Sequence, residues 1–374
     1  MLAATCRSVS SIEPGFPAIQ SKTMQPPDLV LVFGFAIGAA FGVAGLLSGF
    51  CLMSGLRDYW TKDDGRKLRS YAVALAVAIA GTQLIAGLGA VEIGKSLYLQ
   101  PSFSAPLIFL GGLMFGLGMV LANGCASRAL VLLGKGNLRS LLVVGLIAVA
   151  AQITLKGLIA PGRLAFLQWT QVSPPHVSVP SLLGAAGLGE AVAQIAAVLI
   201  ASGALLAFAF SDRSFRRAPG QIAAGVVIGL LVVAGWLTTG YVGADEFNPI
   251  PATSLSFVAP LADTLQYAMF STGLTLSFGV ALAVGVFVGS ATTALLTGRF
   301  ALEGFTSAPH MLRSTLGAVL MGSGGAMAYG CSVGQGLTGL STLALPSFIA
   351  VAGIVGGAAL GIRRFAPVAA LATR

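Results

Sequence analysis

The sequence predicts an all-α, polytopic integral membrane protein, and three observations carry this prediction. Of the 374 residues, 56% are hydrophobic and only 9% are charged, whereas a soluble domain carries about 25% charged residues. The mean hydropathy is +0.91. Gly contributes 50 residues, which is typical of helices that pack closely in a membrane. This composition excludes a soluble globular enzyme, and it excludes a disordered chain, which needs low hydrophobicity and high charge.

Apolar segments that can cross a bilayer follow one another from Asp28 onward. About 30 Å of hydrocarbon requires about 20 helical residues. The nine segments that we read as spans lie at about 29–50, 71–91, 106–123, 140–159, 185–210, 221–241, 271–296, 313–329 and 346–362. Several are short or interrupted by Gly, so we also expect re-entrant or short helices. Residues 1–27 are expected to be a disordered N-terminal extension, 28–365 a single membrane domain and 366–374 a cytoplasmic tail.

The placement of Lys and Arg explains the net charge of +9. Sixteen of the 21 basic residues follow spans one, three, five and seven or end the chain, and five lie on the opposite side. The positive-inside rule then puts the N-terminus outside and the C-terminus in the cytoplasm of a bacterial inner membrane. A nucleic-acid partner is therefore not expected, and the main surrounding partner is membrane lipid. Two outside segments, 160–184 and 242–270, are expected to be long loops that can wall a vestibule.

An internal repeat connects the two halves of the chain. Residues 110–125 and 316–331 align without gaps, with seven of 16 positions identical, including the Gly-Cys pair that ends each segment. A weaker match relates Gly38-x-x-x-Gly42 to Gly225-x-x-x-Gly229. Spans one to four then correspond to spans six to nine, and an odd offset of five spans inverts the second copy. We expect repeat one at about 29–160 and repeat two at about 221–363, with a substrate site near the membrane midplane.

The paired Gly-Cys motifs contain the residues best suited to carry chemistry. Gly124-Cys125 and Gly330-Cys331 each stand where an apolar span stops and a Gly-containing segment follows. Free backbone amides of such a turn, and the N-terminus of a following helix, can bind an anion. Cys51 lies at the end of span one, and Arg128 follows Cys125 by one helical turn if the helix continues, where it can hold an anion near the thiol. A lone Cys in an apolar span is otherwise a small hydrophobic residue.

No cofactor or metal is expected from the remaining motifs. The sequence has two His residues, and no two Cys residues are spaced Cys-x-x-Cys, so a zinc site or a thioredoxin-like couple lacks local support. The segment 334–339 fits G-x-G-x-x-G, but no strand pattern precedes it, so a dinucleotide site is not expected. The Gly134-Lys135 pair is followed by Gly136 where a Walker A motif requires Ser or Thr.

At these residues the sequence resembles the YeeE/YedE family of bacterial membrane proteins, which is associated with uptake of sulfur compounds, chiefly thiosulfate. The resemblance rests on Asn123-Gly124-Cys125, on Tyr329-Gly330-Cys331 with its Gly-rich continuation, and on Cys51, and it covers residues 28–365. It implies that Cys51, Cys125 and Cys331 lie along a central path between inverted repeats. Some members work with a small cytosolic sulfur-carrier protein of the TusA type, which makes such a carrier a candidate partner.

The expected function is transport of a small sulfur-containing anion, most directly thiosulfate, and not enzymatic catalysis. The predicted path holds neutral thiols, because thiolates would repel a dianion and apolar burial disfavours them. The ion would pass between the Cys sites without a covalent bond. Three alternatives stay open: a membrane thiol–disulfide oxidoreductase that uses the same cysteines, a transporter of a selenium or other sulfur compound, and a passive channel for small polar solutes.

Overall fold

The computed structural model describes residues 26–187, 189–244, 250–305 and 307–371, and the regular elements in these ranges are helical. The α-helices are α1 (Pro26–Ser48), α2 (Leu52–Lys62), α3 (Arg66–Gly87), α4 (Ala105–Leu121), α5 (Ala126–Gly134), α6 (Leu138–Leu155), α7 (Ala160–Thr170), α8 (Val179–Ala185), α9 (Glu190–Phe210), α10 (Arg213–Arg216), α11 (Pro219–Leu237), α12 (Val258–Phe270), α13 (Phe278–Leu296), α14 (Ala308–Met327) and α15 (Leu345–Leu371). Short 3₁₀ turns follow α3, and π-helical turns occupy Thr238–Val242 and Gly334–Gly339.

The all-α, polytopic membrane architecture is confirmed. Eight helical stretches in the described part of the chain are long and apolar enough to cross a membrane, and they contain α1, α3, α4, α6, α9, α11, α13 and α15. The other predicted span, 313–329, corresponds to α14, which has 20 residues. This helix is less apolar because it carries His310, Arg313 and several Gly and Ser residues. Length and apolarity together therefore identify eight spans, whereas the sequence pattern predicts nine.

Two segments that were expected to be loops contain helices. α7 and α8 lie within 160–184, and α12 lies within 242–270. These segments were expected to be loops partly because they contain prolines, but Pro180 and Pro260 stand in the first turns of α8 and α12, as Pro161 does in α7. A first-turn proline is tolerated because its missing N–H would have no intrahelical acceptor.

Helices reach both ends of the described part of the chain. α15 runs to Leu371, so the segment expected as a cytoplasmic tail, 366–374, continues the helix up to that residue. α1 begins at Pro26. The rest of the expected N-terminal extension, with Cys6, lies outside the described residues.

Glycines allow the helix backbones to touch, and they do so at matching positions in the two halves. α1 packs on α13, and α11 packs on α3. A Cβ atom at Gly38 would overlap the Leu282 carbonyl oxygen, and one at Gly225 would lie 2.6 Å from the Ser70 carbonyl oxygen. The first of these contacts joins spans one and seven, and the second joins spans six and two. Both contacts therefore use the glycine positions that the weaker sequence match had paired.

α4 and α14 cross each other at the centre of the molecule through reciprocal contacts. A Cβ atom at Gly111 would lie 2.7 Å from the Gly324 carbonyl oxygen, and one at Gly324 would lie 2.6 Å from the Gly111 carbonyl oxygen. In the same way, a Cβ atom at Gly118 would lie 2.6 Å from the Gly317 carbonyl oxygen, and one at Gly317 would lie 2.7 Å from the Gly118 carbonyl oxygen. In the sequence alignment Gly111 corresponds to Gly317, and Gly118 to Gly324. Each helix thus uses the same two repeat positions to contact the other. The two helices pack antiparallel, which is the arrangement that a two-fold axis between them would produce.

The three cysteines of the described residues lie inside this packed centre. Cys51, Cys125 and Cys331 belong to one continuous buried cluster, to which α1, α4, α6, α11, α13 and α14 all contribute side chains. The segments that carry the cysteines are interruptions between long helices. The close helix packing therefore surrounds non-helical backbone, which is the condition for such backbone at membrane depth.

Candidate functional site

Two cysteines that are far apart in the sequence touch each other. The Sγ atoms of Cys51 and Cys125 are 3.6 Å apart, and both side chains are buried. The Cys125 sulfur is also 3.2 Å from the Ser127 hydroxyl. Both residues are free thiols, because the sulfur separation exceeds the roughly 2.05 Å of a disulfide. We call Cys51 and Cys125 the thiol pair.

Each member of the thiol pair stands at the N-terminus of a short helix. Cys51 is the N-cap residue of α2, and Cys125 is the N-cap residue of α5. The backbone amide of Ser54 faces the first sulfur, and that of Arg128 faces the second. The first amides of a helix have no intrahelical acceptor and carry a partial positive charge. The thiol pair therefore lies where two sets of N–H donors converge.

Cys331 has a related setting in the second half of the chain. Its side chain is fully buried, and the Gly334 backbone N–H donates to its sulfur at 3.3 Å. This donor follows the cysteine by three residues, as do the Ser54 and Arg128 amides that face the sulfurs of the thiol pair. The segment after Cys331 forms a π-helical turn, Gly334–Gly339, where the segment after Cys125 forms α5.

The turns that precede Cys125 and Cys331 have the same backbone shape. Asn123 has φ 58° and Tyr329 has φ 56°, and these residues are equivalent in the repeat. The following amides, of Gly124 and Gly330, bond back to carbonyl oxygens five residues earlier, each at 2.9 Å, in the manner of a Schellman cap. In both turns the left-handed residue therefore stands directly before the glycine.

Tyr71 on α3 links the thiol pair to Cys331. Its hydroxyl donates to the Ser332 carbonyl oxygen at 2.6 Å. Its ring stacks on Phe50, which precedes Cys51, with ring centroids 5.5 Å apart. All three thiols lie within electrostatic range of the Tyr71 hydroxyl. Tyr71 could not be recognised from the sequence, because a tyrosine in an apolar span carries no local signal of such a role.

Unpartnered polar atoms surround the segment after Cys331. The Ser332 hydroxyl, the Gln335 side-chain oxygen and the Ser347 hydroxyl are buried without a hydrogen-bond partner. The Gln335 amide nitrogen donates to the Ala328 carbonyl oxygen at 2.6 Å, which orients the side chain. Buried polar atoms without partners are uncommon. They provide free hydrogen-bonding capacity along the segment from Ser332 to Gly339, where the Ser347 hydroxyl and the Gln335 side-chain oxygen approach Gly339.

On the other side of the thiol pair, Arg128 borders a polar cavity of about 240 Å³. One of its guanidinium nitrogens lies 3.7 Å from where a Cβ atom would stand at Gly49, in the left-handed turn (φ 67°) just before Cys51. Arg128 therefore approaches the segments of both paired thiols. The same cavity is lined by Arg57, Lys67 and Arg139, three of the sixteen basic residues whose placement the sequence explained by topology alone.

The described residues contain no group of three or more His, Cys, Asp or Glu side chains placed to hold a metal ion. The donors near the cysteines are backbone amides, hydroxyls, thiols and guanidinium groups. This set is suited to an anion and not to a metal cation, because metal ions require electron-pair donors such as thiolate, imidazole or carboxylate.

Comparison with known proteins agrees with this chemistry. A model of the sulphur transport family matches residues 47–360. The thiosulfate transporter TsuA of Escherichia coli is 26% identical over 326 residues, which cover 82% of this chain and 87% of that protein. The thiosulfate transporter TsuA of Spirochaeta thermophila is 25% identical over 327 residues, covering 85% and 93% of the two chains. The resemblance inferred from the Gly-Cys motifs is thereby confirmed, and the chain belongs to the sulphur transport family, as a multi-pass membrane transporter and not an enzyme.

Proposed function

We propose that the protein takes up thiosulfate along a path lined by Cys331, Cys125 and Cys51. The contact of the thiol pair at the N-termini of two helices is the observation that carries this proposal. The names of both TsuA relatives support thiosulfate as the substrate. Gly124 and Gly330 shape the turns beside the thiols, and Arg128 attracts the anion to the thiol pair.

Thiosulfate is a dianion with oxygen atoms at one end and a soft terminal sulfur. An isolated charge in an apolar medium costs on the order of tens of kcal/mol. Backbone amides at Ser54, Arg128 and Gly334 can donate to the anion, and each thiol can donate a weak S–H hydrogen bond. Because neutral thiols donate without adding negative charge, the ion can pass from one to the next without forming a covalent bond.

The order of the sites along the path follows from an inverted arrangement of the two halves. The reciprocal contacts of Gly111 with Gly324 and of Gly118 with Gly317 support inverted repeats at about 29–160 and 221–363. With the N-terminus outside and α14 crossing the membrane, the anion reaches Cys331 from the outside. It then passes Tyr71 and reaches the thiol pair on the cytoplasmic side of an inner membrane.

Inward movement of the anion requires a driving force. The membrane potential opposes it by about 2.3 kcal/mol per charge for each 100 mV. Coupling to an ion or consumption of the anion in the cytoplasm can supply this energy. A cytosolic sulfur carrier of the TusA type would provide such consumption.

Uptake by proteoliposomes that contain the purified protein tests the proposal. We expect saturable accumulation of radiolabelled thiosulfate, strongly reduced by excess unlabelled thiosulfate and little changed by equal sulfate. Sulfate lacks the soft sulfur that the thiols recognise. Equal inhibition by both anions would contradict a path of thiols, and non-saturable uptake would indicate a passive channel. Growth of a sulfur-auxotrophic host on thiosulfate provides the cellular counterpart, and parallel competition with selenium-containing anions tests that alternative.

A second candidate function is thiol–disulfide exchange, and the 3.6 Å separation of the paired sulfur atoms favours it. Differential alkylation distinguishes the two functions. For a non-covalent relay, Cys51, Cys125 and Cys331 all react with a maleimide after denaturation, with or without prior reduction, in protein that has been transporting. A pool of Cys51–Cys125 disulfide that grows with turnover would instead support the exchange reaction.

A further inference from the structure

The cavity next to the thiol pair has an unusual balance of charge. Four basic side chains line it, namely Arg57, Lys67, Arg128 and Arg139, whereas Glu303 is the acidic residue among its lining. We call it the cationic cavity. Its volume of about 240 Å³ exceeds that of a small inorganic anion.

The cationic cavity adjoins the turn that carries Cys125. A guanidinium nitrogen of Arg57 donates to the Asn123 side-chain oxygen at 2.7 Å, and one of Arg139 donates to the Ala122 carbonyl oxygen at 3.0 Å. These contacts hold the Asn123 side chain and the Ala122 backbone, two and three residues before the thiol. Arg128 follows the thiol by one turn of α5. An anion that leaves Cys125 therefore meets guanidinium groups on both sides of that turn.

The nearby acids neutralise only part of this positive charge. Asp58 bonds to Lys67 at 2.7 Å and lies 3.5 Å from Arg57. Glu303 has partners of its own, because Lys135 pairs with it at 3.0 Å and the Asn137 side chain donates to it at 2.8 Å. Within the described ranges, Arg128 and Arg139 form no ion pair with an acidic side chain. The cavity therefore retains two guanidinium groups that are not engaged in a direct ion pair, with Glu303 as the nearby negative charge.

Glu303 is held at the edge of the cavity by backbone contacts. Its carbonyl oxygen accepts from the Leu138 amide at 2.9 Å, and the neighbouring Ala301 amide donates to the Lys135 carbonyl oxygen at 3.1 Å. The hydrogen bonds from Lys135 and Asn137 hold the pKa of this carboxyl below its usual value. Glu303 therefore stays ionised at neutral pH, and its negative charge weakens the attraction of the cavity for an anion.

We infer that the cationic cavity is a second anion-binding site, in which Arg128 and Arg139 hold the oxygen atoms of a divalent sulfur oxyanion between the thiol pair and the cytoplasm. Guanidinium groups suit this ligand because their planar N–H groups can donate two parallel hydrogen bonds to the oxygen atoms of an oxyanion. Glu303 keeps the affinity low enough for release. The position on the route rests on the proposed function, whereas binding in the cavity requires no thiol.

Equilibrium dialysis of the purified full-length protein against radiolabelled sulfate, at low ionic strength, tests the inference. Sulfate shares the charge and oxygen atoms of thiosulfate but lacks its soft sulfur. We expect Arg139→Gln to raise the Kd on the order of tenfold, since hydrogen bonds to charged groups are the strong ones. Glu303→Gln should lower the Kd several-fold. Arg213→Gln is the matched control, because this exposed arginine is on the same predicted side and does not line the cavity.

Two variants distinguish a specific effect on binding from misfolding. Glu303→Gln is expected to tighten binding, which a misfolded protein would not do, and Arg139→Lys keeps the charge if Arg139→Gln folds poorly. Cys125→Ala should leave sulfate binding unchanged even where it stops thiosulfate uptake, so the failure of the relay and the failure of this site are separate results. Equal sulfate affinity in Arg139→Gln and Arg213→Gln, or weaker binding in Glu303→Gln, would overturn the inference.

Discussion

Replacing Cys331 with Ala is expected to reduce thiosulfate uptake to the level of liposomes without protein. In the proposed path Cys331 is the thiol on the outer side of Tyr71, and the Gly334 amide that donates to its sulfur cannot by itself replace the S–H donor. The substitution removes one buried sulfur atom, so the fold should survive with a modest loss of stability. Initial rates of radiolabelled uptake, together with the thermal unfolding of the same preparations, measure both effects.

Cys125→Ala should have the same effect on uptake, because it removes one member of the thiol pair. Cys51 would then keep its helix N-terminus but lose its sulfur neighbour at 3.6 Å. The matched control is Cys6→Ala, the same chemical change at the remaining cysteine of the sequence, which lies outside the described residues. We expect this control to transport normally. Normal uptake by Cys331→Ala and Cys125→Ala would refute the relay.

The sequence predicted those parts of the site that depend on local pattern. The Gly-Cys pairs and the Gly-containing segments after them can be recognised from the amino-acid sequence alone. The structure gives their turns matching backbone angles at Asn123 and Tyr329. The predicted spans were placed by the length of the apolar segments, and most of them coincide with long helices of the structure. α14 is less apolar since its glycines contact α4 and α6 in the interior, where close approach matters more than hydropathy.

The rest of the site depends on packing between distant segments. Cys51 and Cys125 are 74 residues apart, and no spacing rule predicts their contact. Tyr71 meets Ser332 over an even longer separation. The pattern of basic residues assigns Arg57 and Arg139 to topology, because the sequence cannot distinguish a basic residue in solvent from one that faces a cavity. The helices α7, α8 and α12 are not predicted, since prolines at a helix start resemble loop prolines.

The helix crossings around the thiols should tolerate no side chain at two equivalent glycines. A Cβ atom at Gly116 would overlap the Ile354 carbonyl oxygen of α15, and one at Gly322 would lie 2.6 Å from the Ile147 carbonyl oxygen of α6. Both obstacles are backbone, which a side-chain rotation cannot relieve. We expect Gly116→Leu and Gly322→Leu each to cost about 3 kcal/mol or more, the upper end for overpacked cores, and to give little monodisperse protein in detergent.

The partner helices supply the matched controls for this prediction. At Gly145 on α6 and Gly356 on α15, no described atom beyond the neighbouring backbone of the same helix lies within 4 Å of the place that a Cβ atom would occupy. Leu at either site should therefore leave the yield and the free energy of unfolding nearly unchanged. If the two halves are inverted copies, the crossing of α4 with α15 is equivalent to that of α14 with α6, and the losses at positions 116 and 322 should be similar. A tolerated Leu at one of them, with collapse at the other, would contradict the equivalence of the two crossings and would leave the order of Cys331 and the thiol pair along the path without its structural support.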